Sequence, residues 1–241
     1  MTRPVFRYSA RGMRVFDGVF QPWRRRRLLT CLAGARPWRH GGSVVMVANH
    51  VSWWDGFLLR DVHGRLGDES PLFTVMLEEE LARRPFLRRL GAVGIVPGRR
   101  GSIRGLLRGL EGLRERYHAP WLSFFPQGRI RPSWARPLRF QPGIQAVLRR
   151  LEGAAVLPVA LHLEPLNRVR PTAFVSVGPA LAPQSDRSPA ALERAVETEL
   201  DRILSFIRVH GEEAPAHWPA STERLPSPLG GGAGVILGGV A

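Results

Sequence analysis

The chain has 241 residues, of which 44% are apolar and 23% charged, a composition typical of one globular domain and unlike that of a disordered or fibrous protein. All 35 basic residues are arginines and outnumber the 20 acidic ones, so the formal net charge is +15. This excess predicts an anionic partner such as nucleic acid, a lipid headgroup layer or a phosphorylated cofactor. Biased codon usage explains the lack of lysine but not the sign of the net charge.

Two features indicate the compartment. The single cysteine, Cys31, excludes an internal disulfide and a cysteine metal site, which favours a reducing environment. No apolar stretch approaches the roughly 18 to 20 residues that a membrane-spanning helix needs, and the N-terminus lacks the apolar core of a signal peptide. The sequence therefore predicts a cytoplasmic protein.

Residues 1–40 are rich in arginine and contain the helix breakers Pro22 and Pro37, so they predict a basic arm with one or two helices or an irregular path. Aromatic and apolar residues recur at intervals of three to seven positions, and arginines occupy positions 24–27. Such a segment lies either in a lipid headgroup layer or against the domain as an ordinary first helix, and the pattern favours neither. The recurring residues are Phe6, Met13, Phe16, Phe20 and Trp23.

Between residues 43 and 209, short apolar runs alternate with segments of helical periodicity. The apolar runs predict strands at 43–48, 71–77, 93–97, 121–125, 155–163 and 173–177. The periodic segments predict helices at 53–60, 78–90 with a break at Pro85, 102–117, 143–151 and 190–209. This alternation is typical of an α/β fold with a mostly parallel central sheet flanked by helices. We expect one domain over 41–210 and, because Pro, Gly and Ala dominate beyond it, a flexible tail over 211–241.

The first predicted strand is followed by Asn49 and His50, and Asp55 lies five positions after His50. In open α/β sheets, ligands bind at the carboxyl ends of the strands, so this is a suitable place for a site. If Asp55 lies in the first helical turn, its carboxylate can accept one imidazole N–H, which leaves the other ring nitrogen as a general base. Alternatively, Ser52 and Asp55 only cap the helix, and the pair by itself leaves both possibilities open.

A second candidate follows the fourth predicted strand, where Pro126, Gln127 and Gly128 predict a tight turn. Backbone N–H groups of such a turn can face an anion, and Arg129 or Arg131 would supply the countercharge. The alternative is an ordinary turn that ends a strand, with both arginines in solvent. The sequence of this segment alone does not decide between the two.

Two more features complete a pattern along the chain. The glycine-rich third strand is followed by Arg99 and Arg100, and the fifth strand contains Pro158 in the sequence V-L-P-V. In order and spacing, the four elements resemble the motifs of the glycerophospholipid acyltransferase family, of the lysophosphatidate acyltransferase type. That family has N-H-x-x-x-x-D, a glycine-rich strand ending in arginine, F-P-E-G-T-R and V-x-P-V. The resemblance covers residues 43–177 and implies the fold of that family.

By position, the resemblance makes His50 the general base and Asp55 the carboxylate that orients it. In the third motif, Gln127 replaces the usual glutamate, Arg129 the threonine and Ile130 the arginine. The family uses these positions to bind the acyl acceptor, so the departures leave the acceptor open. The residues that the resemblance implies for substrate binding are Asn49, Arg99, Arg100, Pro126, Gln127, Gly128, Arg129 and Arg131.

The resemblance implies an O-acyltransferase that moves a fatty acyl group from acyl-CoA or acyl carrier protein to a hydroxyl of a lysophospholipid or a similar lipid. Neither a metal nor a cofactor is expected beyond the acyl thioester as co-substrate. The implied partners are that donor, the lipid acceptor and the cytoplasmic membrane surface, contacted peripherally. One alternative is a lipid-binding relative with impaired catalysis, suggested by the changed third motif. The other is a basic nucleic-acid-binding protein, which only the arginine excess supports, so nucleic acid is not the expected partner.

Overall fold

The computed structural model describes residues 6–36, 41–66 and 70–226. Within this part of the chain, the strands of the central sheet are β1 Leu29–Ala33, β2 Val44–Ala48, β3 Leu72–Leu77, β4 Ala92–Ile95, β5 Trp121–Phe124, β6 Ala155–Glu164 and β7 Thr172–Val177. Their spatial order is β1-β7-β6-β2-β5-β3-β4, and all neighbours are parallel except β6 and β7. The predicted α/β class with a mostly parallel central sheet is confirmed.

Helices cover both faces of the sheet. The α-helices of the described residues are α1 Ala10–Arg25, α2 Asp55–Arg65, α3 Glu78–Arg83, α4 Arg100–Glu111, α5 Leu113–Arg116, α6 Gly143–Arg150, α7 Pro189–His210 and α8 Ala214–His217, with 3-10 helices at Pro85–Arg89 and Gly211–Glu213. Helix α2 packs on one face of the sheet, and α4, α6 and α7 pack on the other.

The burial of strand β2 explains why a continuous apolar run predicted a strand. Val45 and Val47 join the core on one face of the sheet, and Val44, Met46 and Ala48 join the core on the other. A strand that is buried on both faces needs a continuous apolar run rather than an alternating one. The six predicted strands are β2 to β7, and their ends differ from prediction by at most two residues. No helix of the described residues has the length and apolar character needed to cross a bilayer.

The N-terminal segment differs from its prediction. Helix α1 continues through Pro22 for one more turn, so this proline lacks the hydrogen bond to the preceding turn but does not end the helix, contrary to the prediction. Strand β1 was not predicted, yet it pairs in parallel with β7 and belongs to the sheet rather than to a basic arm. Residues 1–5 and 37–40, which include Pro37, lie outside the described residues.

The segment 211–226, predicted as the start of a flexible tail, packs on the domain instead. Helix α8 contributes the buried Ala214 to the core, and the backbone N–H of Gly34 donates to the carbonyl of Glu223. The prediction fails because it rested on composition, and the few apolar residues of this segment find places in the core. Residues 227–241 lie outside the described residues, and how the chain divides into domains stays a prediction.

Candidate active site

The predicted site lies at the carboxyl edge of the sheet. Strands β2 and β5 are parallel neighbours, with Val47 opposite Phe124. Both strands therefore end at the same edge, and the segments that follow them, 49–54 and 125–131, start next to each other. The structure brings together the two candidates that the sequence analysis had placed after separate apolar runs.

His50 and Asp55 are in contact, as predicted. The imidazole Nδ1 lies 2.7 Å from Asp55 Oδ2, the carboxylate is fully buried, and 25% of the His50 side chain is exposed. Because an ionised carboxylate only accepts hydrogen bonds, it holds a proton on Nδ1 and leaves the lone pair of Nε2 free. Asp55 is also the first residue of α2, where the helix N-terminus favours a negative charge.

The loop between β2 and α2 is built around the Asp55 carboxylate. Oδ2 also accepts hydrogen bonds from the N–H groups of Val51 and Ser52, at 2.6 and 3.0 Å. Oδ1 accepts one from the Ser52 hydroxyl at 2.6 Å, and the same hydroxyl oxygen accepts the N–H of Trp54 at 3.1 Å. Helix α2 begins at Asp55 and not at the predicted residue 53. Ser52 is therefore not the cap of the helix but holds the Asp55 carboxylate in place.

Asn49 holds the start of this loop on β6. Its buried side-chain amide donates to the carbonyl of Leu161 and accepts the N–H of the same residue, both at 2.8 Å. These two side-chain bonds hold Asn49 on β6 beyond the last pair of the two strands, Ala48 with Val159. Since both polar atoms of the amide are occupied by β6, the geometry favours a positioning role for Asn49 over the substrate contact that the motif implied.

The turn at 126–128 meets His50 through Gln127. This side chain is buried, as is Pro126, and its Oε1 accepts a hydrogen bond from the backbone N–H of His50 at 2.6 Å. Gly128 donates its N–H to the carbonyl of Phe125 at 3.1 Å and has a φ of 67°, a left-handed conformation that glycine adopts without strain. The predicted tight turn is confirmed, and it lies against the candidate base.

Phe125 is a site residue that the sequence analysis missed. Its ring stacks on the imidazole of His50, with centroids 4.6 Å apart and planes inclined by 25°. The stacking restrains the plane of the imidazole and shields one of its faces from water. The signal that could have identified it is its position, one residue beyond the strand and directly before the turn.

The two arginines after the turn lie in different surroundings. Arg131 donates its backbone N–H to the carbonyl of His50 at 2.9 Å, and its guanidinium donates to the carbonyl of Pro137 at 3.3 Å. Arg131 therefore shapes the loop that follows the turn. Arg129 is exposed, and its permanent charge is available to an anionic group.

Arg99 and Arg100 are exposed where α4 begins, after strand β4. They lie at the same edge of the sheet as His50, because β4 is parallel to β3 and β3 to β5. In the order of the sheet β4 is three strands from β2, a distance of about 14 Å at ordinary strand spacing. These arginines can therefore meet only a part of a substrate that is remote from its reacting atoms.

Catalysis by a cysteine nucleophile and catalysis by a bound metal have less support from the structure. Burial raises the pKa of the Cys31 thiol to about 11, so the group is protonated at neutral pH and a poor nucleophile. Among the described residues, no three His, Cys, Asp or Glu side chains are grouped so as to hold a metal ion. The site that the structure assembles is an imidazole–carboxylate pair beside a glycine turn, a geometry suited to removing a proton from a hydroxyl.

A family model for acyltransferases matches residues 30–162, more than half of the chain. The chain belongs to the acyltransferase family. The matched segment begins in β1 and ends in β6, so it contains His50, Asp55 and the turn at 126–128. The acyltransferase family predicted from the four motifs is confirmed.

A solved structure has a similar fold. The crystal structure of the 1-acyl-sn-glycerophosphate (LPA) acyltransferase PlsC from Thermotoga maritima matches with a TM-score of 0.53, over 80% of this chain and 76% of that one. The two sequences are 19% identical, so the similarity establishes the fold, and the substrate of this acyltransferase-family protein has to be argued from its own site. A search of curated proteins found no match.

Proposed function

We propose that this protein transfers a fatty acyl group from acyl-CoA or acyl carrier protein to a hydroxyl of a lysophospholipid, such as 1-acylglycerol 3-phosphate, or of a similar lipid. The observation that carries the proposal is the hydrogen bond between His50 and Asp55 at an accessible edge of the sheet. Membership of the acyltransferase family and a fold similar to that of an LPA acyltransferase support the same class of acceptor.

The proposed reaction needs one general base and no covalent enzyme intermediate. Nε2 of His50 accepts the proton of the acceptor hydroxyl while the hydroxyl oxygen attacks the carbonyl carbon of the thioester. The tetrahedral intermediate collapses by breaking the carbon–sulfur bond, and the leaving thiolate takes the proton from the imidazolium. Asp55 keeps the ring oriented and stabilises the imidazolium between the two steps. A base placed in this way contributes about 10²- to 10⁴-fold to the rate.

The turn at 126–128 supports an active enzyme over an impaired relative. Gln127 Oε1 accepts the backbone N–H of His50, a contact that a glutamate oxygen would make equally well, so the substitution preserves the support of the base. The exposed Arg129 adds a permanently charged donor for a phosphate-bearing acceptor.

An apolar depression on the surface of helix α1 is suited to a fatty acyl chain. It measures about 300 Å³, is open to solvent, and is lined by Phe16, Val19, Phe20 and Trp23. Trp23 also contacts the rings of Trp53 and Trp54, with centroids 6.3 and 5.6 Å away. Both tryptophans belong to the loop that carries His50, so these ring contacts connect the depression to that loop, and its apolar lining is what a fatty acyl chain requires.

We also propose that helix α1 contacts the membrane surface. Val15, Val19 and Trp23 form a stripe at intervals of four residues, and their exposed fractions are 63%, 75% and 39%. The same helix is fixed to the domain, because the buried Arg24 forms an ion pair with Asp61 of α2 at 2.6 Å. The two alternatives from the sequence are thus compatible: one side of α1 packs on the domain, and the other presents an apolar stripe next to arginines, as an interfacial helix does.

The double substitution Val15→Glu with Val19→Glu is expected to weaken binding to anionic vesicles by at least about tenfold, because it removes apolar contacts and adds charge of the sign that the lipid repels. Neither side chain is buried, so the melting temperature should change by no more than about 2 °C. Cosedimentation with vesicles that contain phosphatidylglycerol measures the binding. Val209→Glu, at an exposed position of α7, is the matched control, and equal binding by the double variant and the wild type would contradict the proposal.

The activity itself is tested by incubating the pure protein with labelled acyl-CoA or acyl carrier protein and a panel of lipid alcohols. We expect an ester of 1-acylglycerol 3-phosphate or of another lysophospholipid, identified by mass spectrometry. Products formed only from alcohols that are not lipids would contradict the acceptor class. The absence of any product would favour the impaired relative, and tight, salt-sensitive duplex binding without transfer would favour the nucleic-acid alternative.

A further inference from the structure

A second group of polar side chains lies next to the site: Ser133 is hydrogen-bonded to His162, and the Glu164 carboxylate lies close to the other nitrogen of the His162 ring. Ser133 Oγ is 2.6 Å from His162 Nδ1, and His162 Nε2 is 3.3 Å from Glu164 Oε2. Ser133 and His162 are only 6% and 5% exposed, so the bond between them is shielded from water. None of the three residues was predicted for the site.

The direction of the bond between Ser133 and His162 follows from the chemistry of this group. Burial lowers the pKa of His162 below its ordinary value, against the opposing effect of Glu164, so the ring is neutral at neutral pH. The Glu164 carboxylate lies 3.3 Å from Nε2, where its negative charge favours the ring proton on that nitrogen and leaves Nδ1 as an acceptor. The Ser133 hydroxyl therefore donates to Nδ1. Serine hydrolases use the same order of groups to activate a nucleophile.

The surroundings of Ser133 argue against a nucleophilic role in this protein. A nucleophile has to reach the carbon of the thioester, and the buried Ser133 does not present its hydroxyl to a substrate. Its carbonyl is also held, by the guanidinium of Arg136, which forms an ion pair with Asp201 of α7 at 3.1 Å. Ser133 is thus fixed through its side chain to β6 and through its backbone to an arginine bound to α7.

The loop that is held in this way carries a group that supports the base. Two residues before Ser133, the backbone N–H of Arg131 donates to the carbonyl of His50. On β6, the residue before His162 is Leu161. Its backbone binds the side-chain amide of Asn49, which anchors the start of the loop that carries His50. The Ser133–His162 bond therefore joins the loop after the turn to the strand on which the base loop is anchored.

We propose that Ser133 and His162 are positioning residues that lock the loop 129–136 onto β6 and thereby shape the binding site of the acyl acceptor. This inference rests on the proposed acyl transfer, because the loop follows the turn assigned to the acceptor. The position of the loop determines how tightly the acceptor is bound. Proton transfer at His50 depends on the loop less, since His50 keeps its bonds to Asp55 and Gln127 when the contact from Arg131 loosens. The depression proposed for the acyl chain of the donor is lined by α1 and not by this loop.

Ser133→Ala removes the hydroxyl and leaves the backbone contacts of the loop in place. It is expected to raise KM for the acceptor about tenfold, with KM for the acyl donor unchanged and kcat within about twofold. Ser133→Thr keeps a hydroxyl and should restore most of the wild-type value, and Ser185→Ala, at an exposed serine, is the matched control. An unchanged acceptor KM in folded Ser133→Ala would overturn the proposal. Labelling of Ser133 in the native protein by a fluorophosphonate would also overturn it, because that would make the residue a nucleophile.

A second measurement tests the loop without any acceptor. Trypsin cleaves after arginine, but Arg131 and Arg136 precede prolines, so the Arg129–Ile130 bond is the position at which cleavage reports on this loop. We expect cleavage there to be several-fold faster in Ser133→Ala and in His162→Gln, with other cleavage sites unaffected. Equal cleavage in the wild type and both variants would overturn the positioning role, even if the wild type transfers no acyl group and the proposed function fails.

A third measurement uses the wild-type protein, so it tests the bond between Ser133 and His162 even if neither variant folds. The ¹⁵N chemical shifts of the His162 imidazole should show the proton on Nε2 and a bare Nδ1 that accepts a hydrogen bond. A proton on Nδ1 would mean that Ser133 is not the donor, which would overturn the proposal.

Discussion

Replacing His50 by alanine is expected to lower the rate of acyl transfer about 10²- to 10⁴-fold, because it removes the base that accepts the hydroxyl proton. The fold should survive, since the side chain is partly exposed and Asp55 keeps the hydrogen bonds from Val51 and Ser52. Measuring kcat/KM with a lysophospholipid acceptor and the melting temperature on the same preparation checks both statements.

Two further variants make this test specific. His118 is exposed and follows helix α5, so His118→Ala should keep the wild-type rate. His50→Gln can still donate a hydrogen bond to Asp55 but has no nitrogen that accepts a proton, and it should be as inactive as His50→Ala. A His50→Ala protein that transfers acyl groups at the wild-type rate would show that the base has been assigned to the wrong residue.

The fold between residues 43 and 210 could be predicted because its strands and helices depend on signals that span a few residues. Strand β2 is buried on both faces, and its sequence is accordingly apolar throughout. Strand β1 gives a weaker signal: it is short, contains the polar Thr30, and follows a run of arginines. Its place in the sheet depends on pairing with β7, more than a hundred residues later in the chain, which no local pattern reveals.

In the candidate site too, contacts between residues close in sequence could be predicted, and contacts between distant residues could not. The contact between His50 and Asp55 could be predicted because five residues, a strand end and a helix start fix it locally. The bond from His50 to Gln127 joins residues 77 positions apart, and it involves a backbone N–H that every residue offers. The resemblance marked Gln127 and Arg131 as substrate-binding residues, whereas the geometry shows that both also hold the backbone of the base. Spacing in the sequence likewise gave no sign of the bond between Ser133 and His162.

Asp55→Asn is expected to lower both the rate and the stability, for separate reasons. The carboxylate stabilises the imidazolium that forms during catalysis, and a neutral amide does not, so the rate should fall by about 10²-fold or more. The carboxylate also accepts four hydrogen bonds, whereas an asparagine turns an NH₂ group toward at least one of those donors. An unpaired buried donor costs about 1–3 kcal/mol, which lowers the melting temperature of a chain of this size by roughly 2–10 °C.

Rates measured at a temperature at which both proteins are fully folded separate the two effects. Asp186→Asn is the matched control, because Asp186 is exposed and follows β7, whose antiparallel direction places that loop at the opposite edge of the sheet. A lower melting temperature with an unchanged rate would reduce Asp55 to a structural role. The double variant His50→Ala with Asp55→Asn completes the test. If Asp55 acts through His50, adding Asp55→Asn to His50→Ala should cost almost no further activity, since the carboxylate then has no ring left to orient.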